Sequence, residues 1–376
     1  MTAPQVKGWC PGAHRPMMSG DGLVVRVRPF FGELSADQAR GLCDLADQFG
    51  NGMLDLTSRA NLQIRGVNEA DHLTLLERLD DLGLIDEDPA IEAHRNILMP
   101  PDWTEGDLTH RLYKALLKTL LILPPLPDKM GFSIDTSDTA CLAKGSTDFR
   151  FELDAHGGLL LRADGVAQGR SVSEATAMHA LVEMVAWFVQ TGGQDSGRMA
   201  RHVPQVKLPE TWTYASPREA LGVPPLGATP DGTYLGAPFG KIASADLRAL
   251  LAQNHDAHLR LLLNRTLFLK GVEVADAPGF LTRPSRLMDV HACPGAPFCP
   301  QGTVATMDVA KALAKVTTGS LHVSGCAKGC ALPRKSKTTL VGNNGQFDLV
   351  LDGRPWDAAH HRGFDPTSAS DLALLS

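Results

Sequence analysis

The chain of 376 residues has no long hydrophobic run. Its longest apolar stretches, such as Leu120–Leu126, are too short and too rich in proline to cross a bilayer. The first residues, MTAPQVKGWCPG, contain no apolar core of the kind a secretory signal needs. There is no excess of positive charge: 36 Lys and Arg face 42 Asp and Glu, for a net charge of −6. That balance gives no support to a general nucleic-acid role. There is no G-x-G-x-x-G fingerprint, so the chain shows no dinucleotide cradle of its own. These absences point to a cytoplasmic protein with neither membrane nor nucleic acid as partner.

What the chain does have is cysteine in an unusual arrangement. There are seven, an odd number, and Cys293, Cys299, Cys326 and Cys330 lie close together near the C-terminus. Such clustering fits metal ligation in a reducing compartment better than a disulfide framework. The first pair sits in HACPGAPFCPQG and the second in HVSGCAKGCALP. Four thiolates are what a [4Fe–4S] cluster takes. The glycines beside them let backbone wrap a compact inorganic core and turn N–H groups toward sulfur. A structural zinc site is the alternative, but zinc-binding pairs are usually separated by two to four residues, and five separate Cys293 from Cys299. Of the others, Cys10 in WCPGAHRP reads as part of a local turn, and Cys43 reads as core.

Two segments resemble each other, Asp21–Val67 and Asp231–Val272. Each opens on Asp-Gly, reaches Phe-Gly (Phe31-Gly32 and Phe239-Gly240), enters a helix pattern and ends in a strand closing on Gly-Val. Arg40 matches Arg248, and Arg59 matches Arg265. A repeat this long predicts two halves related by a pseudo-two-fold axis. Helices are expected over 71–84, Thr109–Leu123, Ser173–Thr191 and Asp308–Val316, and Leu221–Pro238 reads as a linker.

The stretch TSRANLQIRG predicts a strand with Thr57, Arg59, Asn61, Gln63 and Arg65 on one face. The second copy has Leu263, Leu267 and Leu269 where the first has Thr57, Asn61 and Gln63. One copy thus keeps a face of hydrogen-bond donors and the other makes it apolar. Arginine forks match carboxylates, so the polar face is expected to bind an anionic ligand. From Leu313 to Phe347 there is no Asp or Glu, and this basic run carries Arg334, Lys335 and Lys337. Arg95 in AHRNIL and Lys129 in LPDKMGFS are two further isolated cations.

These motifs, in this order, resemble the siroheme-dependent nitrite and sulfite reductase superfamily. Within it, GWCPGAHRPMMSGDGLVVRV and HVSGCAKGCALP are similar to the precorrin-3B synthase branch of aerobic cobalamin biosynthesis. The resemblance implies an α+β fold with two ferredoxin-like half-domains and two haem/cluster-type α+β domains. It divides the chain into residues 1–70, 71–220, 221–279 and 280–376. It places the cluster on the four C-terminal cysteines and the superfamily's anion-binding cations on Arg59, Arg95 and Lys129. In siroheme enzymes the last cysteine also bridges to the haem iron, which would be Cys330. The superfamily carries a Lys-x-Lys pair where this chain has Lys129 followed by Gly131. The missing cation argues against sulfite or nitrite as substrate.

The branch implies oxygen-dependent hydroxylation of precorrin-3A at C20, with γ-lactone formation. The tetrapyrrole's carboxylates would meet Arg59, Asn61, Gln63, Arg65, Arg95, Lys129 and the Arg334–Lys337 group. Electrons would come from NADH through a separate reductase or a ferredoxin. The branch is thought to use a mononuclear non-haem iron as well. His255, Asp256 and His258 have suitable chemistry, but they read more simply as a helix-end turn. A siroheme-dependent reductase and a non-enzymatic electron or tetrapyrrole carrier are the rival readings.

Overall fold

The computed structural model describes residues 10–375. The stretch without a signal-like core falls mostly at residues 1–9, outside the described residues. The first half-domain supplies strands β1 (Met17–Ser19), β2 (Gly22–Val27), β3 (Glu33–Ser35), β4 (Met53–Asp55) and β5 (Leu62–Val67). The next unit holds β6 (Ile97–Leu98), β7 (Phe132–Asp135), β8 (Phe149–Leu153), β9 (Leu159–Ala163) and β10 (Arg170–Ser171). The second half-domain supplies β11 (Gly227–Thr229), β12 (Gly232–Gly236), β13 (Lys241–Ala243), β14 (His258–Leu262) and β15 (Thr266–Lys270). The last unit holds β16 (Val290–Ala292), β17 (Leu321–Ser324), β18 (Ser336–Asn343), β19 (Gln346–Gly353) and β20 (His361–Phe364).

The two half-domains exchange a strand. One sheet runs β1-β2-β5-β4-β13, and its partner runs β11-β12-β15-β14-β3. β13 pairs antiparallel with β4, Ile242 opposite Leu54, and β3 pairs antiparallel with β14, Leu34 opposite Leu259. Helices Ala36–Phe49 and Ser244–Ala252 pack together, and one apolar core draws Leu34, Leu42 and Ile64 from the first half with Leu247, Leu259 and Leu267 from the second. The pseudo-two-fold repeat is therefore present and interlocked. The Phe-Gly pairs have a local reason. Phe31 and Phe239 have φ of 58° and 59°, followed by Gly32 and Gly240 at 64° and 75°. Two successive left-handed residues turn the chain out of its own sheet toward the other, and glycine takes one of those positions without strain.

Three expectations are corrected here. The strand over Thr57–Arg65 begins only at Leu62, because Thr57–Ala60 forms a turn with Ala60 at φ 53°. Thr57 Oγ1 accepts the backbone N–H groups of Arg59 and Asn61, so strict alternation is lost there. The repeat register also moves by one residue. Leu62 and Ile64 face the shared core, as do Leu267 and Leu269, so Gln63 corresponds to Phe268 and Ala60 to Arg265 (φ 61°). The asymmetry survives the shift: Arg26 lies opposite Gln63 in one sheet, while Tyr234 lies opposite Phe268 in the other. Finally, half of the expected linker Leu221–Pro238 is the hairpin of β11 and β12.

The remaining two units share a pattern. In β6-β7-β8-β9-β10 and in β16-β17-β18-β19-β20 the first three strands are parallel and the last two are added antiparallel. Helices Leu108–Leu120 and Glu174–Gln190 cover the first of these sheets. Helix Met307–Leu313 covers the second. The helix His72–Asp81 buries Leu75 and Leu79 in the half-domain core, so the boundary drawn at residue 70 falls inside the first unit. No helix among the described residues is long and apolar enough to cross a membrane.

The exchanged strands predict joint stability. Leu34 is fully buried. Leu34→Ala should cost about 3 kcal/mol in chemical unfolding. Hydrogen exchange should show lost protection in β14 of the other half; an effect confined to residues 15–67 would contradict the interlock.

Candidate active site

β16 and β17 lie side by side and parallel, with Ala292 beside Val323. Cys293 follows the first strand at once, and Cys326 follows the second after Ser324-Gly325. Both cysteine loops thus leave the same end of the sheet. Cys293 is buried, Cys299 and Cys326 are half-buried, and Cys330 reaches the surface. Gly325 N–H donates to Cys293 Sγ at 3.1 Å. A Cβ on Gly325 would stand 2.9 Å from Gly295 Cα and 3.3 Å from Gly302 Cα, so the loops close only because these positions are glycine.

Burial pushes the Cys293 thiol up. The protein around Cys330 pushes its thiol up to about 11, with Lys328 opposing the rise and the other three cysteines adding to it. The four sulfurs therefore lie within one another's field. Yet among the described residues no three His, Cys, Asp or Glu side chains converge to hold a single ion. Four thiols grouped at one end of the sheet, with a backbone donor on one sulfur, have the donor chemistry that an iron–sulfur cluster takes. His258 instead faces Glu33 at 2.9 Å, and the His255 carbonyl accepts from Arg40 at 3.1 Å, so His255, Asp256 and His258 form no iron site.

The loop between Cys293 and Cys299 docks on the first half-domain. Ser19 Oγ, Gly20 N–H and Arg65 Nη2 donate to Phe298 O at 2.9, 3.2 and 3.3 Å. Beside this contact is a cavity of about 390 Å³, walled by Met53, Arg65, Phe239, Lys241, Pro294 and Phe298 among others. On the other half, Arg265 donates to Val290 O at 2.7 Å and also to Met288 O, fixing the start of β16.

The structure sorts the expected binding residues. Arg65 lines the cavity, but its Nε and Nη2 are held by Asp21 at 3.0 and 2.8 Å. Gln63, with its amide oxygen turned toward Arg26, accepts from Nη2 at 2.9 Å. Asn61 is buried and donates to Asn96 Oδ1 at 3.1 Å. Arg95, expected at the ligand, is enclosed: it is 2% exposed, donates to Arg28 O and Glu92 Oε2, and lies 3.7 Å over the Phe30 ring. It supports Arg28, which shares the same Glu92 at 3.0 Å. Lys129 is half-buried in the turn leading to Gly131. A side chain at Gly131 would strike the Asn96 amide, so the missing lysine is matched by packing. Arg334 and Lys335 are exposed, with Arg334 near His291, whereas Lys337 donates to Thr318 Oγ1 at 2.9 Å.

A larger feature escaped the sequence. Arg26, Arg28, Arg59, Arg95 and Arg198 form a connected series. The Cys10 thiol lies among Arg26, Arg28 and Arg59 rather than merely in a turn. Burial lowers Arg26 to about 10, reinforced by Arg28, and also lowers Arg28 and Arg59. Arg198 binds Asp148 at 2.9 Å and Ser146 Oγ at 2.9 Å. Asp148 has no exposed surface; burial raises its carboxyl, and Arg198 opposes that. Glu92 and Asp148 are thus the two carboxylates among five guanidinium groups. Among the described residues neither Arg26 nor Arg59 has a carboxylate partner at ion-pair distance. The alternating arginines of GLVVRVRP, set in an apolar strand, were the available signal.

Comparison with known proteins agrees with the fold. Residues 15–82 match the nitrite/sulfite reductase ferredoxin-like half-domain. The NirA protein of Mycobacterium tuberculosis superposes with a TM-score of 0.63 at 18% identity, over 88% of this chain and 74% of that one. The chain has the nitrite/sulfite reductase fold. It is 28% identical to a Sinorhizobium precorrin-3B synthase over 92% of this chain and 83% of that protein. It is 23% identical to the ferredoxin–nitrite reductase of Synechococcus elongatus over 94% of this chain and 84% of that protein. Both of these relatives are enzymes, a synthase and a nitrite reductase.

The arginine series makes Glu92 a sensitive point. Glu92→Gln preserves shape but leaves Arg28 and Arg95 buried without their shared carboxylate. A loss of about 3–5 kcal/mol in urea unfolding is expected; a loss below 1 kcal/mol would show that the pair is neutralised otherwise.

Proposed function

We propose that this protein is a precorrin-3B synthase, an oxygen-dependent monooxygenase acting on precorrin-3A. The observation that carries the reading is the buried arginine series, in which Arg26 and Arg59 lack carboxylate partners among the described residues. Uncompensated charge in a desolvated place calls for an anion. A metal-free tetrapyrrole with several acetate and propionate arms supplies one. The similarity to the Sinorhizobium synthase supports the same choice.

In this reading, Arg26, Arg59 and the outer arm of Arg28 bind carboxylates and set the macrocycle's orientation. Gln63 fixes the Arg26 fork through its amide oxygen. Arg198 joins Arg59 through Ser146 Oγ, 2.9 and 3.5 Å away, and lengthens the floor toward the β7–β8 side. Glu92 and Arg95 hold Arg28 from behind. The cavity beside Arg65 is lined by Pro294 and Phe298, the chain neighbours of Cys293 and Cys299. Cys293, Cys299, Cys326 and Cys330 would hold a [4Fe–4S] cluster, which supplies electrons one at a time. Those electrons would come from NADH by way of a separate reductase or ferredoxin in the cytoplasm. No set of side chains among the described residues fits a mononuclear iron, so no step is assigned to one.

The rival reading is siroheme-dependent reduction of nitrite or sulfite. Packing of Asn96 against Gly131 disfavours it, because a second lysine there would displace the Asn96 amide. The visible spectrum of the purified protein separates the two: cluster absorption without a siroheme band is expected. With precorrin-3A, oxygen and a reductant, the product should gain the mass of one oxygen atom. A siroheme band that shifts with cyanide, or no mass gain with the cluster intact, would refute the synthase reading. Arg26→Gln should weaken tetrapyrrole binding by roughly tenfold or more, the scale of one charge-assisted hydrogen bond. Cys326→Ser should abolish the cluster's EPR signal.

A further inference from the structure

We propose that the β1–β2 turn and Arg65 form a positioning device for Cys299 that ties the cluster to the cavity on the sheet. The proposal rests on the cluster assignment above and goes beyond it. Phe298 O accepts three donors: Ser19 Oγ at 2.9 Å, Gly20 N–H at 3.2 Å and Arg65 Nη2 at 3.3 Å. A carbonyl oxygen has two lone pairs, so this acceptor is saturated. The next residue is Cys299, whose own N–H donates to Gly295 O at 2.8 Å. The peptide unit that leads into Cys299 is thus held at both its oxygen and its nitrogen.

The approach depends on Gly20. A Cβ there would lie 2.7 Å from Pro297 O, 3.0 Å from Phe298 C and 3.2 Å from Cys299 N. All of these are backbone atoms, which cannot move without moving the loop. Arg65 is fixed in turn, by Asp21 through Nε at 3.0 Å and Nη2 at 2.8 Å. Ser19, Gly20 and Asp21 are successive residues of one hairpin turn, and all three serve the contact. This assigns Arg65 a role other than carboxylate binding. Its charge is paired with Asp21 and Asp55, one Nη2 donor reaches the cysteine loop, and Arg65 and Phe298 line the cavity together.

Removing the Arg65 cation would leave Asp21 and Asp55 unpaired beside the cysteine loop, and added negative charge disfavours the form holding the extra electron, because cluster potential follows local charge and hydrogen bonding. The test is an EPR-monitored redox titration of the cluster-loaded full chain without substrate. Arg65→Gln should shift the ratio of reduced to oxidised cluster about tenfold toward oxidised at fixed potential, which is about 59 mV for one electron. Arg65→Lys should recover part of the shift. Ser19→Ala, which removes the Ser19 donor to Phe298 O and one acceptor of Arg65 Nη2 but keeps the Arg65 charge and the cavity lining, should shift it in the same direction by less. Gly20→Ala should broaden the signal or lower the iron content. Wild-type potential and line shape in Arg65→Gln and Ser19→Ala, at full iron content, would overturn the proposal. So would a wild-type chain that assembles no cluster. Because no substrate is present, failure of precorrin-3A turnover would leave this result standing.

Discussion

Each half-domain completes its sheet with a strand from the other, and the rest of the molecule depends on that exchange. β3 crosses to β14, and β13 crosses to β4. The crossing places Lys241 beside Asp55 at 2.6 Å, on the sheet face that carries Arg65. It also sets Phe239 against the cysteine-bearing unit while its counterpart Phe31 stacks among Trp103, His110 and Tyr113. The same turn in the two copies therefore anchors the two α+β units. A hydrophobic core shared by both halves holds these anchors in fixed relation, as close packing requires.

On that frame the protein buries positive charge it does not fully neutralise. Burial of a guanidinium is costly unless it is paired. Glu92 serves Arg28 and Arg95 together, and Asp148 serves Arg198, which leaves Arg26 and Arg59 to a glutamine, a serine and a thiol. Among the described residues, Nε of Arg28 and of Arg95 has no hydrogen-bond partner. Folding tolerates this because the strands around the arginines are secured by apolar contacts on their opposite face, from Val25, Val27, Leu62 and Ile64. The cost of the charge falls on one face and the stabilisation comes from the other.

How much of this the amino-acid sequence revealed follows from the kind of interaction. The repeat was legible because its signal is local: the Phe-Gly turns act within a few residues. The helices were legible to within a few residues, since Ser35 and Ser173 cap theirs with side-chain hydrogen bonds. The strand exchange was not, because β3 and β13 are three residues each and carry no sign of which sheet they join. Nor was the arginine series, whose members come from residues 26 to 198 and meet only in three dimensions. Alternation misled at Thr57–Asn61, where the Thr57 hydroxyl diverts the backbone into a turn. Arg95 was recognised as special, but its enclosure by Glu92 and Phe30 is a tertiary fact.

The two halves share a backbone but differ in what they can bind. Where the first sheet presents Arg26 opposite Gln63, the second presents Tyr234 opposite Phe268, their rings 4.6 Å apart and packed with Leu262. A polyanion has a floor on one side only. Asn96 sharpens the selection further. It receives Asn61 Nδ2 on its oxygen, which fixes its orientation, and its nitrogen then lies against Gly131. A side chain at 131 would require Asn96 to shift, and with it the Asn61 hydrogen bond behind the Arg59 turn. The absent cation is thus built into the same buried network that orients the arginines. Under the proposed function, such a site would hold a large molecule by its carboxylate rim with one charge fewer, which suits a macrocycle as substrate better than a small oxyanion.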